Sequence, residues 1–254
     1  MSRCVLKLGS SVLGGVADLA TATTEIARSF AGRTEVIVVV SAFGDTTDRL
    51  FARAREVDGA ARGEAVARLV ATGESEAAAL VTLALGAAGI PAALLDPAEA
   101  GLRTRGPSLD GELVGCDRAR FEREFARTPV VVVPGYVGRG ACGETTLLGR
   151  GGSDFTALFL AGRLGGHCTL LKDTDGLYTA DPRGDRAARR FVTASWATAL
   201  AIGGGVVQEK ALHFAAASRL EFAIAAPGGR GGTRIGALED RLAGEVPTAG
   251  RVRA

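Results

Sequence analysis

Three short segments carry residue types that plain structural needs do not explain. The first is Lys7-Leu8-Gly9-Ser10-Ser11, at the end of an apolar run. A lysine closing a buried strand is costly unless its ammonium meets an anion. Gly9, Ser10 and Ser11 have small side chains, so backbone N–H groups can approach a phosphate closely. A snorkelling lysine in an ordinary strand-to-loop turn is the plainer alternative. The chain has no GxxxxGK[ST] sequence, so this is not a P-loop.

The second segment is residues 148–155, LGRGGSDF. Gly149, Gly151 and Gly152 frame Arg150, and Ser153 and Asp154 open a helix. Ser or Asp at a helix start is ordinary capping. Capping does not call for an arginine among glycines. Arg150 can fork onto a carboxylate through two parallel hydrogen bonds. The helix N-terminus adds positive potential toward an anion, and Asp154 can orient nearby lysines by charge. The third segment is residues 172–182, KDTDGLYTADP. Asp175-Gly176 makes a turn. A turn alone leaves Lys172, Asp173, Tyr178 and Asp181 unexplained, and an aromatic, hydrogen-bonding loop suits adenine and ribose. Two signals are weaker. Residues 41–48, SAFGDTTD, place Ser41 and Thr47 in a hydroxyl-rich turn that reads mainly as helix capping. Glu74 lies in an alanine-rich helical stretch and reads as part of a solvated face. His167 and His213 read as ordinary surface or core residues.

Elements must bring these segments together. Residues 4–8, 35–40, 92–95, 130–133, 167–172 and 222–225 are short apolar runs and read as buried strands. Residues 16–30, 46–57, 63–87, 116–126, 153–164, 194–201 and 206–217 read as helices. Residues 102–115 are polar and glycine-rich, a hairpin or a mobile loop. Strands alternate with helices and are continuously apolar, so both sheet faces must be covered. The expected class is α/β, with a mainly parallel sheet between two helix layers. In such sheets ligands bind beyond the carboxyl ends of the strands. Residues 9–11, 41–47, 135–140 and 172–178 all fall there.

Composition narrows the function classes. The 254 residues are enough for a full core in one domain or two intimate lobes. The formal charge is +2, signs are interleaved, and aromatics are 5% of residues, so no nucleic-acid surface is expected. The tail 251–254 is weakly basic and reads as a frayed end. No run approaches transmembrane length, and Lys7 interrupts the apolar start that a signal peptide would need. A cytoplasmic protein without a membrane partner is expected. Cys4, Cys116, Cys142 and Cys168 show no CxxC spacing, and with only two histidines no metal site is expected.

The clusters, in this order, resemble the amino acid kinase family, and most closely the catalytic domain of aspartate kinases. Residues 143–156, GETTLLGRGGSDFT, are similar to that family's TTLGRGGSD signature. Residues 175–182, DGLYTADP, resemble DGVYTADP. Residues 39–50, VVSAFGDTTDRL, resemble VVSAxGxTTdxL, and residues 71–75 match its tGE segment. The resemblance implies a three-layer α/β/α sandwich forming one kinase domain over residues 1–254. Residues 1–138 would be the acceptor lobe and 139–254 the nucleotide lobe. It implies ATP with Mg²⁺, a small amino acid acceptor, and a homo-oligomer, dimer or larger. Lys7, Asp154 and Lys172 would be catalytic. Ser41, Thr47, Glu74, Arg150, Gly151, Gly152 and Ser153 would hold the acceptor, Glu74 its ammonium and Arg150 a carboxylate. Gly9, Ser10, Ser11, Lys172, Asp173, Tyr178, Asp181 and Arg183 would hold ATP.

Three departures stand out. The start KLGSSVL, residues 7–13, resembles glutamate 5-kinases more than the KFGGTSV of aspartate kinases. Residues 203–210, GGGVVQEK, stand where the family has GAKVLHPR, so Gly205 or Val206 replaces a phosphate-contacting lysine. Lys172 stands where the family usually has threonine, and is expected to supply the charge lost near Gly205. The chain ends soon after Gly231-Gly232-Thr233, so no paired regulatory domains are expected. The leading expectation is phosphorylation of the side-chain carboxylate of L-aspartate. The same chemistry on another acidic acceptor, or a non-catalytic nucleotide- or anion-binding protein, are the alternatives.

Overall fold

The run EVIVVV is β-branched almost throughout, and such residues fit a pleated surface covered on both sides. In the computed structural model, which describes residues 3–30, 35–202, 205–229 and 231–244, it is a central strand. Glycines 203 and 204 of the substituted segment and the basic tail 251–254 lie outside the described residues. The chain opens with β1 (Arg3–Leu8), a 3-10 turn at Val16–Asp18, α1 (Leu19–Phe30), β2 (Glu35–Val40), α2 (Thr46–Val57) and α3 (Glu64–Ala87). It continues through β3 (Ala92–Leu94), β4 (Arg103–Arg105), β5 (Glu112–Gly115), α4 (Arg118–Phe125), β6 (Val130–Pro134), β7 (Val137–Arg139) and β8 (Thr145–Leu147). Next come α5 (Gly152–Leu164), β9 (His167–Leu171), β10 (Phe191–Ser195), α6 (Trp196–Ile202), α7 (Glu209–Ala217), β11 (Phe222–Ala225), β12 (Thr233–Gly236) and β13 (Arg241–Leu242).

Nine strands form one sheet in the order β13-β10-β12-β11-β9-β1-β2-β6-β3. β12 pairs antiparallel with β11, and β11, β9, β1, β2, β6 and β3 run parallel to one another. Their carboxyl ends therefore share one edge, and the loops after β1, β2, β6 and β9 meet there. Alternation along each strand divides the core. Val5, Ile37, Val39, Val131 and Val133 face α5 and α7, whereas Leu6, Leu8, Val36, Val38 and Val40 face α1 and α3. Lys7 is two residues from Val5, so it points to the α5 side. The expected three-layer α/β/α architecture is what the chain adopts.

Of the two expectations for residues 102–115 the hairpin is the one adopted: β4 and β5 pair antiparallel and join β7 and β8 in a second, four-stranded sheet. Several other local expectations are corrected. The β7-β8 hairpin, β12 and β13 were not legible as apolar runs. Residues 191–195 are a strand, and the helix expected from 194 begins at Trp196. β10, which lies between β12 and the edge strand β13, has only Phe191 and Ala194 buried, so its apolar signal is thin. The helix expected from 206 begins at Glu209. Despite the expectation of no such run, α3 is long and apolar enough to cross a membrane by length and composition. Here it is a core helix, with Val70, Ala77, Ala78, Val81 and Leu85 buried and Glu74 among them.

The centre of α5 holds the two halves of the α5 side together. Phe159 is fully buried, its ring edge-on to Phe155 at 6.2 Å and tilted against Phe214 of α7 at 5.6 Å. Phe159→Ala should cost about 3–5 kcal/mol of unfolding free energy, measured by denaturant titration.

Candidate active site

The ammonium of Lys7 and that of Lys172 converge on one carboxylate. Lys7 Nζ lies 2.7 Å from Asp154 Oδ1, and Lys172 Nζ donates to Asp154 Oδ2 at 2.6 Å. Lys7 is 5% exposed and Asp154 2%. The three come from different elements: the end of β1, the first residue after β9, and the first turn of α5. β1 and β9 are parallel neighbours, with Leu8 opposite Leu171, so the two lysines leave the sheet side by side. The Lys172 N–H donates to Ala225 O at 2.9 Å, which continues the strand pairing and fixes where its side chain starts.

Glycines make the approach possible. A Cβ on Gly9 would sit 2.9 Å from Lys7 Nζ. A Cβ on Gly135 would sit 2.7 Å from Ser153 Cβ, so the end of β6 can lie against the start of α5. Gly151 caps α5 in the left-handed conformation, φ 74° and ψ 14°. The helix therefore presents its free N–H groups to the same edge as the two lysines.

Two cavities meet at this cluster. One, of about 580 Å³, is lined by Lys7, Ser10, Ser41, Thr47, Glu74, Arg150, Gly151, Gly152, Ser153 and Asp154. The other, of about 1110 Å³, is lined by Ser11, Asp173, Tyr178, Asp181 and Arg183. Lys172, Gly205 and Val206 line both. Of the residues singled out in the sequence, Gly9 alone lines neither, and it contributes the space beside Lys7. Ser10 and Ser11, adjacent in sequence, face different cavities. Asp181 accepts from the Arg183 N–H at 3.0 Å and from its Nε at 3.3 Å, a local turn at the rim. The Tyr178 hydroxyl donates to Asp175 at 2.6 Å.

Glu74 is not on a solvated face. It is 2% exposed and lines the smaller cavity, and its Oε2 has no hydrogen-bond partner among the described residues. Burial pushes its carboxyl up to about 8, against the pull of Lys7 and of the Ala42 N–H. Burial alone would also raise Asp154, but Lys7 and Lys172 outweigh it and hold that carboxyl below its ordinary value. Burial, with Lys7 close by, pushes Lys172 down to about 8, although Asp154 opposes the shift.

The sequence reading missed Asp48, Phe51, Arg55 and Tyr136 in the smaller cavity. The first three continue from Thr47 along one face of α2, a helical spacing visible once Thr47 is taken as a site residue. Tyr136 has φ 66°, a left-handed conformation that a bulky residue adopts at a cost. Its N–H donates to Thr156 Oγ1 at 3.1 Å, and its carbonyl accepts from the Leu148 N–H at 2.9 Å, which hold the backbone there. Burial and nearby Glu74 push its phenol up to about 12. The Pro134-Gly135 stop just before it was the only signal in the chain.

Residues 2–225 match the amino acid kinase family. The chain belongs to that family. Its matched relatives include the aspartokinase of Geobacillus stearothermophilus, 32% identical over 219 residues, which cover 85% of this chain and 54% of the relative. The aspartokinase of Thermus thermophilus is 33% identical over the same shares. The chain thus spans about half the length of the curated relatives it matches. Aspartate kinase from Synechocystis superposes with a TM-score of 0.82 at 28% identity, over 93% of this chain and 40% of that one. UMP kinase from Bacillus anthracis superposes at 0.70 with 16% identity, over 95% of this chain and 98% of that one. This family's fold is thus shared with a protein named for a different acceptor, and the fold alone does not choose one.

The site's own groups set a pH dependence of stability. Folded Glu74 keeps its proton to about 8, against an ordinary value of 4.5. Its contribution is complete below 4.5 and is lost as pH rises through about 8. Folded Lys172 loses its proton at about 8, against an ordinary 10.5. Its contribution is present above 10.5 and is lost as pH falls through about 8. The denaturation midpoint should therefore dip near pH 8 and rise on both sides, within these two windows. Glu74→Gln should flatten the acid side of the dip and Lys172→Met the alkaline side.

Proposed function

We propose that this chain transfers the γ-phosphoryl group of ATP to a carboxylate of a small acidic amino acid. The leading acceptor is L-aspartate through its side-chain carboxylate, giving 4-phospho-aspartate and ADP. The observation that carries this reading is the Lys7-Asp154-Lys172 cluster at the junction of two cavities. In this reading the larger cavity takes the nucleotide and the smaller one the acceptor. The acceptor lobe would be residues 1–138 and the nucleotide lobe 139–254.

A carboxylate is already a nucleophile, so the chain needs no strong base. The difficulty is bringing two anions together and neutralising charge on the transferring group. Lys7 and Lys172, spaced by Asp154, put two ammonium groups where the carboxylate oxygen would meet the γ-phosphorus. That oxygen forms a bond to phosphorus while the bond to the β,γ-bridging oxygen breaks and ADP leaves. The larger cavity has room for a nucleotide, with Asp173 and Tyr178 toward ribose and adenine. Among the described residues no three His, Cys, Asp or Glu side chains gather as a metal site. Mg²⁺ would reach the site on the nucleotide's phosphate oxygens, neutralising their charge.

Selection of the acceptor falls to Arg150 and Glu74. Arg150 has no carboxylate partner among the described residues and suits the acceptor's α-carboxylate. Glu74, buried with an unpartnered oxygen, suits its ammonium. A zwitterionic dicarboxylate satisfies both and leaves one carboxylate for the lysines. Thr47, Ser41 and Ser153 offer neutral hydrogen bonds around it. One observation favours a non-catalytic nucleotide-binding protein: at Gly205, where both cavities meet, there is no side chain to contact phosphate. Lys172 lines the same junction and brings an ammonium to it from β9.

An ADP-release assay across acidic amino acids, with hydroxylamine trapping of the acyl phosphate, tests the reading. Aspartate should give the highest turnover, and Lys172→Ala should lower kcat by about 100-fold or more. Nucleotide binding without ADP release for any acceptor would favour the non-catalytic reading. With its carboxyl pushed up to about 8, Glu74 should hold its proton at pH 7, and an arriving ammonium should ionise it. Acceptor binding should then release a proton, read by calorimetry in buffers of different ionisation enthalpy. Glu74→Gln should abolish that release.

A further inference from the structure

Within the Arg150 loop one turn closes over the arginine, the Gly152 N–H donating to Gly149 O at 3.0 Å. The first turn of α7 holds that turn from outside. Lys210 Nζ donates to Asp110 Oδ1 at 2.8 Å, to Gly111 O at 2.7 Å and to Leu148 O at 2.9 Å. All three ammonium hydrogens are engaged. Two acceptors lie in the turn of the β4-β5 hairpin, and the third is the residue that leads into the loop. Phe155 of α5 lies beneath, its ring centre 5.8 Å from Lys210 Nζ. The loop is moulded to these partners. Gly149 has φ 73°, and a Cβ there would sit 2.2 Å from Asp110 Oδ1. Gly151 has φ 74°, and a Cβ there would sit 2.3 Å from Gln208 Cγ. The loop is therefore clasped on one side by the hairpin turn and on the other by the residues that open α7. Lys210 itself lines neither cavity.

The geometry points to Lys210 as a positioning residue that sets the Arg150 loop, and through it the grip on the acceptor. Its role differs from that of the phosphate-contacting lysine that the family carries a few residues earlier. A cation with three short bonds to the protein is not offered to the nucleotide. The α6-α7 connection just before it carries Gly205 and Val206, which line both cavities. One rigid helix start thus links the wall shared by the cavities to the loop that presents Arg150. Hydrogen bonds from a charged donor are the stronger kind, and two of the three acceptors are backbone carbonyls that no side-chain change can replace.

The kinetic part of the test rests on the reading of Arg150 as the acceptor's carboxylate anchor. The structural part does not. In steady-state kinetics Lys210→Met should raise the acceptor KM about tenfold, with the nucleotide KM within about twofold of wild type. Lys210→Arg should recover part of the loss. Asp110→Ala should weaken acceptor binding in the same direction and keeps the test available if Lys210→Met fails to fold. A higher nucleotide KM, or a lower kcat with an unchanged acceptor KM, would show Lys210 acting on phosphate instead and overturn the proposal. Hydrogen–deuterium exchange of the ligand-free protein reads the clasp without any turnover. Amides of residues 148–152 should exchange faster in Lys210→Met and in Asp110→Ala than in wild type. Unchanged exchange in both variants would sink the clasp even if the kinase reading holds. Faster exchange in a protein that turns over no acceptor would sink the kinase reading and leave the clasp standing.

Discussion

Two ammonium groups buried against one carboxylate form the constraint around which the rest of this molecule is arranged. Three charges with only one negative among them are not a self-sufficient salt bridge. Removing them from water is costly, and the Asp154 carboxylate cannot neutralise both lysines. The arrangement becomes more favourable when an anion joins it. Burial and Lys7 together outweigh the attraction of Asp154 and hold the Lys172 ammonium below its ordinary value. A site of this kind stores positive charge where the two cavities meet.

The sheet exists, in functional terms, to hold that charge still. Parallel pairing of β1 with β9 sets two lysines side by side, and the α5 start brings Asp154 down onto them. Neither strand could carry its lysine inward alone, because a buried ammonium without a partner would turn to water. The valine-rich faces of β2 and β6 supply the apolar burial that opposes this tendency. The same parallel order gathers the loops after β1, β2, β6 and β9 at one edge. The two cavities are consequences of that edge, not separate constructions.

Glu74 shows how far the polarity of a site can depend on its setting. It projects from a core helix among alanines and a valine, and burial keeps it protonated near neutral pH. A neutral carboxyl costs far less to bury than a carboxylate does. Tyr136 and the glycines of the Arg150 loop make a parallel point about the backbone. They hold left-handed conformations at the loop or strand end where close approach is required, and the surrounding contacts hold them there.

Read by itself, the chain determined the α/β class, the parallel core strands and the three segments that line the cavities. Those features are written locally: continuous β-branched runs, turn residues after them, and motif spacing within a dozen residues. Family membership was legible for the same reason, since GRGGSDF and DGLYTADP are contiguous. The tertiary structure alone decided what depends on distant residues meeting. It put Glu74 inside, because the face of an alanine-rich helix that becomes buried depends on what packs against it. It made Lys172 a neighbour of Lys7, separated by 165 positions in the chain but adjacent across two paired strands. It drew Lys210 away from both cavities and onto the hairpin turn, where its acceptors are mostly backbone carbonyls that carry no sequence signal. The strands at one end of the sheet, β10 and the edge strand β13, also waited on the fold, because a thinly covered strand needs few apolar residues.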